Sequence, residues 1–259
     1  NTDGTINKFT GEAIKSGDIV LNADITTDEG KVGALNVTLT ADNIIVNSDA
    51  GERTIQTYGK NAPGTVTING KVDSDKTGRL DTLTIKSGDT TINGNVGATN
   101  KLENLKIYSK GSIWANGDVN VNSDMIARAT DNPESADDYL KAKDADGKQN
   151  VTVKSVTAGN LVSLAADNDV ILEGDITANG ASQRAVEIVA QNAFINGEDE
   201  EKFAVKATNG TWKIYSNSPE TDDFGDLNSE NLAEWGWRDD AGFVYNANSD
   251  AKNRYIFKD

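Results

Sequence analysis

Apolar and polar side chains alternate along most of this chain in short bursts that end in Gly, Asn or Asp. In "LDTLTIKSGDTTINGNV" (residues 80 to 96), Leu83, Ile85 and Ile92 alternate with polar neighbours. That is the period of two expected of half-buried strands, and the glycine and asparagine between bursts supply turns. One burst recurs as a phrase: "DIVLNAD" at 18 to 24, "NIIVNSD" at 43 to 49, "TVTINGK" at 65 to 71, "DTTINGN" at 89 to 95, "SIWANGD" at 112 to 118, "DVILEGD" at 169 to 175 and "NAFINGE" at 192 to 198. Aligned on Asn22, Asn47, Asn69, Asn93, Asn116, Glu173 and Asn196, the successive intervals are 25, 22, 24, 23, 57 and 23. A second burst precedes the phrase, as in "LNVTLTA", "LENLKIYS" and "RAVEIVA", and a third short one follows it at Ile25, Val72, Val96, Val119 or Ile176.

Three short strands and three turns in about 23 residues match one coil of a parallel β-helix. Antiparallel sandwiches and barrels also use short strands, but nothing in them requires side-chain identity to repeat at a fixed longer interval. Propeller blades need about 40–45 residues. Coils stacked about 4.8 Å apart do require such repetition, because equivalent residues then form ladders. The expected fold class is therefore all-β, a parallel β-helix or solenoid, over residues 1–210.

The 57-residue interval exceeds two periods. The stretch "ATDNPESADDYLKAKDADGKQN" (129 to 150) has the polarity and charge of a loop, so a loop excursion is expected at about 129–150 before "NVTVKSVTAGN" resumes the pattern. Composition changes again after Gly210. Three of the four tryptophans, together with Tyr215, Phe224, Phe243, Tyr245, Tyr255 and Phe257, fall in residues 211–259. An exposed solenoid end presents core and unpaired backbone, so these rings are expected to form an aromatic C-terminal cap or junction segment. The competing reading makes Trp212, Tyr215, Trp235 and Trp237 a contact surface for carbohydrate or another partner.

Composition narrows the chemistry. The chain has no cysteine and no histidine, which removes disulfides, thiol nucleophiles, histidine triads and Cys/His zinc sites. With 25 basic and 41 acidic residues its formal charge is −16, so nucleic acid and anionic lipid are not expected partners. No apolar run is long enough to span a bilayer, and the opening "NTDGTINKF" lacks the features of a signal peptide. Direct membrane insertion is not expected, and the chain reads as a mature or excised piece.

Parallel β-helices include polysaccharide-cleaving enzymes, which cluster carboxylates on one face. Here the position two beyond the marker holds Asp24, Lys71, Asn95, Asp118 and Asp175, a mixture typical of solvated turns. No residue is assigned a catalytic role. No cofactor is expected, with calcium as the one ion considered: "DSDKTGRLD" sets Asp73, Asp75 and Asp81 at a spacing that imitates an oxygen-ligand loop, but Thr84 stands where such a loop carries its bidentate Glu. "DADG" at 144 to 147 is a shorter imitation. An ice-binding threonine face is disfavoured because Thr65, Thr67, Thr90 and Thr91 align with Asp18, Val20, Ile45, Trp114 and Ile171 elsewhere.

The phrases "SGDIVLNADI", "SGDTTINGNV" and "DNDVILEGDI", and above all the ending "NGTWKIYSNSPETDDFGDLNSENLAEWGW", resemble the filamentous-haemagglutinin-type adhesins and large exoproteins of bacteria. The ending carries the distinctive positions of that resemblance: Trp212, Ile214, Tyr215, Ser216, Phe224, Gly225 and Leu227. Thr211 replaces the basic residue common before the Trp, and no counterpart of an amino-terminal secretion domain is present. The resemblance implies a right-handed helix and a non-enzymatic, structural or adhesive segment of an extracellular or cell-surface bacterial exoprotein. Its partners would be a host-surface or matrix glycan or protein, or copies of itself. A subunit that self-assembles into an extracellular filament through "GTINKF" or "NRYIFKD" is the main alternative, and a carbohydrate-active enzyme the third.

Overall fold

The computed structural model describes residues 17–27, 35–57, 63–135, 138–141, 147–197, 201–230, 232–237 and 252–258. Outside them lie the amino-terminal "GTINKF" edge, Phe243, Tyr245 and the acidic part of "DADG". The described residues are almost all β. In chain order the strands are β1 (Asp18–Leu21), β2 (Ile25–Thr26), β3 (Val37–Val46), β4 (Glu52–Gln56), β5 (Val66–Ser74), β6 (Thr82–Ser87), β7 (Thr90–Ile92), β8 (Asn104–Ser109), β9 (Ile113–Ala115), β10 (Val119–Val121) and β11 (Asp124–Ala129). After a 3₁₀ turn at Asp138–Leu140 come β12 (Val151–Val153), β13 (Val156–Ala158), β14 (Leu161–Ala166), β15 (Val170–Leu172), β16 (Ile176–Ala178), β17 (Val186–Ala190), β18 (Phe194–Asn196), β19 (Val205–Ala207), β20 (Trp212–Ser216), β21 (Ala233–Trp235) and β22 (Arg254–Phe257).

Every strand pairing in the described residues is parallel. The sheets run β1-β3-β5-β7-β9-β12-β15-β18, then β10-β13-β16-β19, then β2-β4-β6-β8-β11-β14-β17-β20-β22-β21. Register divides the strands among three faces more finely than this order does. β3 is long, and its pairing with β5 shifts between Thr40 and Asn43. Its first half joins the first face, Val37 on Val66 on Thr90 on Ile113. Its second half joins the second face, where Ile19, Ile44, Val72, Val96, Val119, Val156, Ile176 and Val205 succeed one another. From Val37 onward the chain visits the first, second and third faces in that order on seven successive passes.

This register corrects the marker alignment. Asn22 and Asn47 belong to one ladder, joined by Asn47 Nδ2 donating to Asn22 Oδ1 at 2.8 Å. Asn69, Asn93 and Asn116 form another on the first face, with amide bonds of 2.7 Å at each step. Asn69 stacks on Thr40, not on Asn47. All faces share the same period-two pattern, so pattern alone could not say which face a phrase occupies.

Inward positions build one continuous core. On the third face Leu83 and Ile85, Leu105 and Ile107, Met125 and Ala127, Val162 and Leu164, then Val186 and Ile188 lie above one another and are buried. Toward the end of the chain aromatic rings replace the aliphatic side chains: Trp212 meets Tyr255 at 5.0 Å between centroids, and Phe224 meets Tyr255 at 4.3 Å. The third face continues through the composition boundary at 210, since β17 pairs with β20 and β20 with β22. A small buried hydroxyl cluster sits where the first and third faces meet, with Thr90 Oγ1 2.5 Å from Ser87 Oγ and 2.8 Å from Ser109 Oγ.

The glycine of the recurrent phrase has a steric cause. A Cβ on Gly94 would stand 1.9 Å from the carbonyl oxygen of Gly70, and one on Gly117 would stand 2.3 Å from that of Gly94. Each chain pass thus lies on the backbone of the previous one with no room for a side chain. Gly94→Ala is expected to destabilise the fold by about 2 kcal/mol or more through this overpacking. Gly78→Ala, at φ +77° with open space around it, should cost only about 1 kcal/mol of backbone strain. Urea denaturation of the two variants checks the order.

Candidate functional site

Of the candidate calcium residues, Asp75 and Asp81 lie around Arg79 while Asp73 bonds elsewhere, and donors and a cation of the chain itself occupy all three. Asp81 is fully buried. Its Oδ1 accepts from the Ser48 hydroxyl at 2.5 Å and from the Ser48 and Ala50 amides at 3.2 Å, and its Oδ2 accepts from the Ser74 hydroxyl at 2.6 Å. The carboxylate thereby fastens a turn in which Asp49 and Ala50 adopt left-handed φ of 52° and 66°. Burial pushes its pKa up, but these hydrogen bonds outweigh burial and hold it below the ordinary 3.8. Asp73 accepts from the amides of Thr99 and Asn100 at 2.9 and 3.1 Å. Asp75 faces Arg79 Nε at 3.2 Å, and the same guanidinium reaches Asp49 at 2.8 Å. Arg79 thus stands among the carboxylates where a divalent ion would have to sit. Among the described residues no group of three or more His, Cys, Asp or Glu side chains is arranged to hold a metal.

Three of the side chains two beyond the marker serve the backbone. Asp24 Oδ1 accepts from the Thr54 amide at 2.9 Å, Asn95 Oδ1 from Asp118 at 3.0 Å and Asp175 Oδ1 from Ala204 at 2.8 Å. In each case a side chain on one pass satisfies an N–H of the next. Asp89 does the same for Ser112. These positions tolerate Asp or Asn because either offers an acceptor oxygen.

Of the four aromatic candidates, three are inside. Trp212 is 3% exposed and points into the core; Tyr215 and Trp237, at 4% and 3%, pack on each other with centroids 5.3 Å apart. Only Trp235 is open, at 55%, on the edge strand β21, with one side of its ring against Phe257 at 5.2 Å.

Tyr215 and Trp237 belong to a second apolar cluster on the outer side of the third face, where Ala165, Val189, Tyr215 and Ile256 succeed one another. Between β11 and β12, Tyr139 and Leu140 lie over this strip. Tyr139 packs there, its hydroxyl donating to Glu187 Oε1 at 2.7 Å while Arg128 sits 3.8 Å from its ring centroid. Trp237 Nε1 donates to the Leu140 carbonyl at 2.7 Å, so the carboxyl-terminal segment holds the excursion down. Glu187 also pairs with Arg184 at 2.8 Å. Burial and the neighbouring Glu187 charge push the Tyr139 phenol well above its ordinary range. The sequence reading missed Tyr139, Glu187 and Arg128, although a change of the outward positions from Lys86 and Tyr108 to Ala165 and Val189 was available as a signal.

Asp222 is a further group that pattern reading missed. Its Oδ1 accepts from the Phe194 amide at 2.7 Å and its Oδ2 from the Ser216 hydroxyl. Burial is the main cause of a pKa raised to about 6, with Asp169 adding to it and the two hydrogen bonds opposing it. A raised carboxyl pKa means that the folded chain holds the proton more tightly than the unfolded chain. Between about pH 4 and 6, Asp222 therefore makes stability fall as pH rises. Asp222→Asn keeps an acceptor for Phe194 and supplies a donor to Ser216. It should remove that slope and raise the melting temperature at pH 7 while leaving it little changed at pH 4, as thermal unfolding at the two pH values would register.

No protein-family model, no curated protein and no solved structure matches this chain, so its functional reading rests on its own residues.

Proposed function

We propose that this chain is a right-handed parallel β-helical rod serving as a non-enzymatic structural and adhesive segment of a bacterial cell-surface or secreted exoprotein. The observation that carries this reading is the fixed rotation of the chain through three parallel faces around a single ladder-built core. A stack of this kind grows by about 4.8 Å for each pass and gives reach and rigidity with one local rule. The positions behind the adhesin-like resemblance also have coherent places. Trp212 and Ile214 are buried in the core, Phe224 packs on Phe194 and Tyr255, Gly225 takes φ +56°, and Leu227 packs against the same core. Of the carboxylates considered for catalysis or calcium, Asp24, Asp73, Asp75, Asp81 and Asp175 are engaged with backbone amides, hydroxyls or Arg79, which favours a scaffold role over a cofactor-dependent one. The partners in this reading are a glycan or protein of a host surface or matrix.

End-to-end association of copies is a second reading, favoured by Trp235 on the edge strand β21. Edge strands with an exposed apolar side chain template further pairing.

Beads coated with the chain are expected to adhere to host-cell or biofilm-matrix surfaces, with adhesion unchanged by EDTA and no reducing ends released from polysaccharides. Failure to adhere to any such surface, or sugar release abolished by a single Asp or Glu substitution, would overturn the adhesive reading. Light scattering across a concentration series separates the second reading: a constant mass near 27.6 kDa excludes it, whereas growth that Trp235→Ala suppresses supports it.

A further inference from the structure

We infer that the outer side of the first face, centred on Trp114, is a binding platform for a neutral polysaccharide chain. The inference rests on the adhesive reading above and names the ligand class and the residues.

Register sets Thr38, Thr67, Thr91, Trp114, Thr152, Ile171 and Ile195 in one outward row. Beside it runs the amide ladder Asn69, Asn93, Asn116. Trp114 is half-buried, projects from the middle of this surface, and adds nothing to the core cluster. Each of the other tryptophans has a ring partner, Trp212 in Tyr255, Trp237 in Tyr215 and Trp235 in Phe257. Among the described residues Trp114 has none. Half-buried between Thr91 and the buried Thr152, the indole still keeps part of its apolar area against water on the part of the face where its row neighbours are threonines. The apolar face of a sugar ring would cover that area.

The flanking groups fit the rest of such a ligand. In the ladder Asn69 donates to Thr40 and accepts from Asn93, Asn93 donates to Asn69 and accepts from Asn116, and Asn116 donates to Asn93, so every rung retains a second N–H and at least one further lone pair. Donor and acceptor therefore recur at about 4.8 Å along the face, matched by the threonine hydroxyls of the adjacent row. A polymer of hydroxylated rings offers the same alternation of donors and acceptors along its length. Charge selects among such polymers. Thr67, Asn69, Thr91, Asn93, Trp114 and Asn116 are all uncharged, on a chain with a formal charge of −16. An acidic polysaccharide would be repelled by the whole molecule and would find no cation on these rungs, whereas a neutral one meets a surface of matching polarity. The uncharged strip ends where Lys154 and then Glu173 follow Asn116 at the same position.

The test is native affinity electrophoresis through gels cast with hydroxyethyl cellulose, galactomannan or polygalacturonate. The native chain should be retarded by at least one of the two neutral polymers and not by polygalacturonate. Trp114→Ala should weaken that retardation about tenfold, as removal of an aromatic anchor does, with circular dichroism showing the β fold intact because the side chain is not part of the core cluster. Mobility unaffected by both neutral polymers, or a Trp114→Ala protein retarded as strongly as the native one, would overturn the inference. Coated beads that still adhere to cells or matrix in that case would show that the adhesive reading survives its loss; beads that do not adhere would remove both.

Discussion

The structure depends on one constraint: in a stack of parallel strands, each pass of backbone must find its hydrogen-bond partners on the passes directly before and after it, about 4.8 Å away. Inside a strand the ladder meets this demand without help. At corners it does not, and there side chains take over. Asp24, Asn36, Asp89, Asn95, Asp169 and Asp175 each lend a carboxylate or amide oxygen to an N–H on the following pass. The abundance of Asp and Asn is thus a structural requirement of corners before it is a surface property. The strongly negative charge follows from it in part.

The same close stacking explains the other recurrent residues. Asn at the marker position bonds to its own kind on the next pass, which aligns successive strands, and Gly follows because a carbonyl from the previous pass occupies the space a Cβ would need. Both residues act between passes, so their repetition has no counterpart in the contacts of any single strand. Where the ladder changes, the structure changes too. After Asn116 the same position becomes Lys154, and between them Tyr139 and Leu140 pack on the outer side of the third face.

That excursion is joined to the fold at both its apolar and its polar contacts. Tyr139 covers an apolar strip and reaches Glu187, and Trp237, nearly a hundred positions later, ties down the Leu140 carbonyl. Asp81 and Asp222 show how one residue type behaves in opposite ways within this scaffold. Asp81 is surrounded by donors that hold its pKa below the ordinary carboxylate value, whereas burial governs Asp222 and favours its protonated form. The difference lies in the number of donors that surround each carboxylate.

The period-two alternation, the glycine-asparagine turns and the recurrence interval were enough to determine an all-β, parallel-sheet chain, because these features reflect local backbone geometry and inward-facing side chains. The recurrence did not determine register. "DIVLNAD" and "NIIVNSD" read like "TVTINGK", yet they stack on the second face while the latter lies on the first, since alternation is the same on every face and only the corner lengths assign each strand. Nor could spacing reveal that Arg79 sits among Asp49, Asp75 and Asp81, or that Trp212, Tyr215 and Trp237 are enclosed while Trp114 is left on an outer face. Those outcomes depend on contacts between residues tens of positions apart, and it is the tertiary stacking of passes that brings them together.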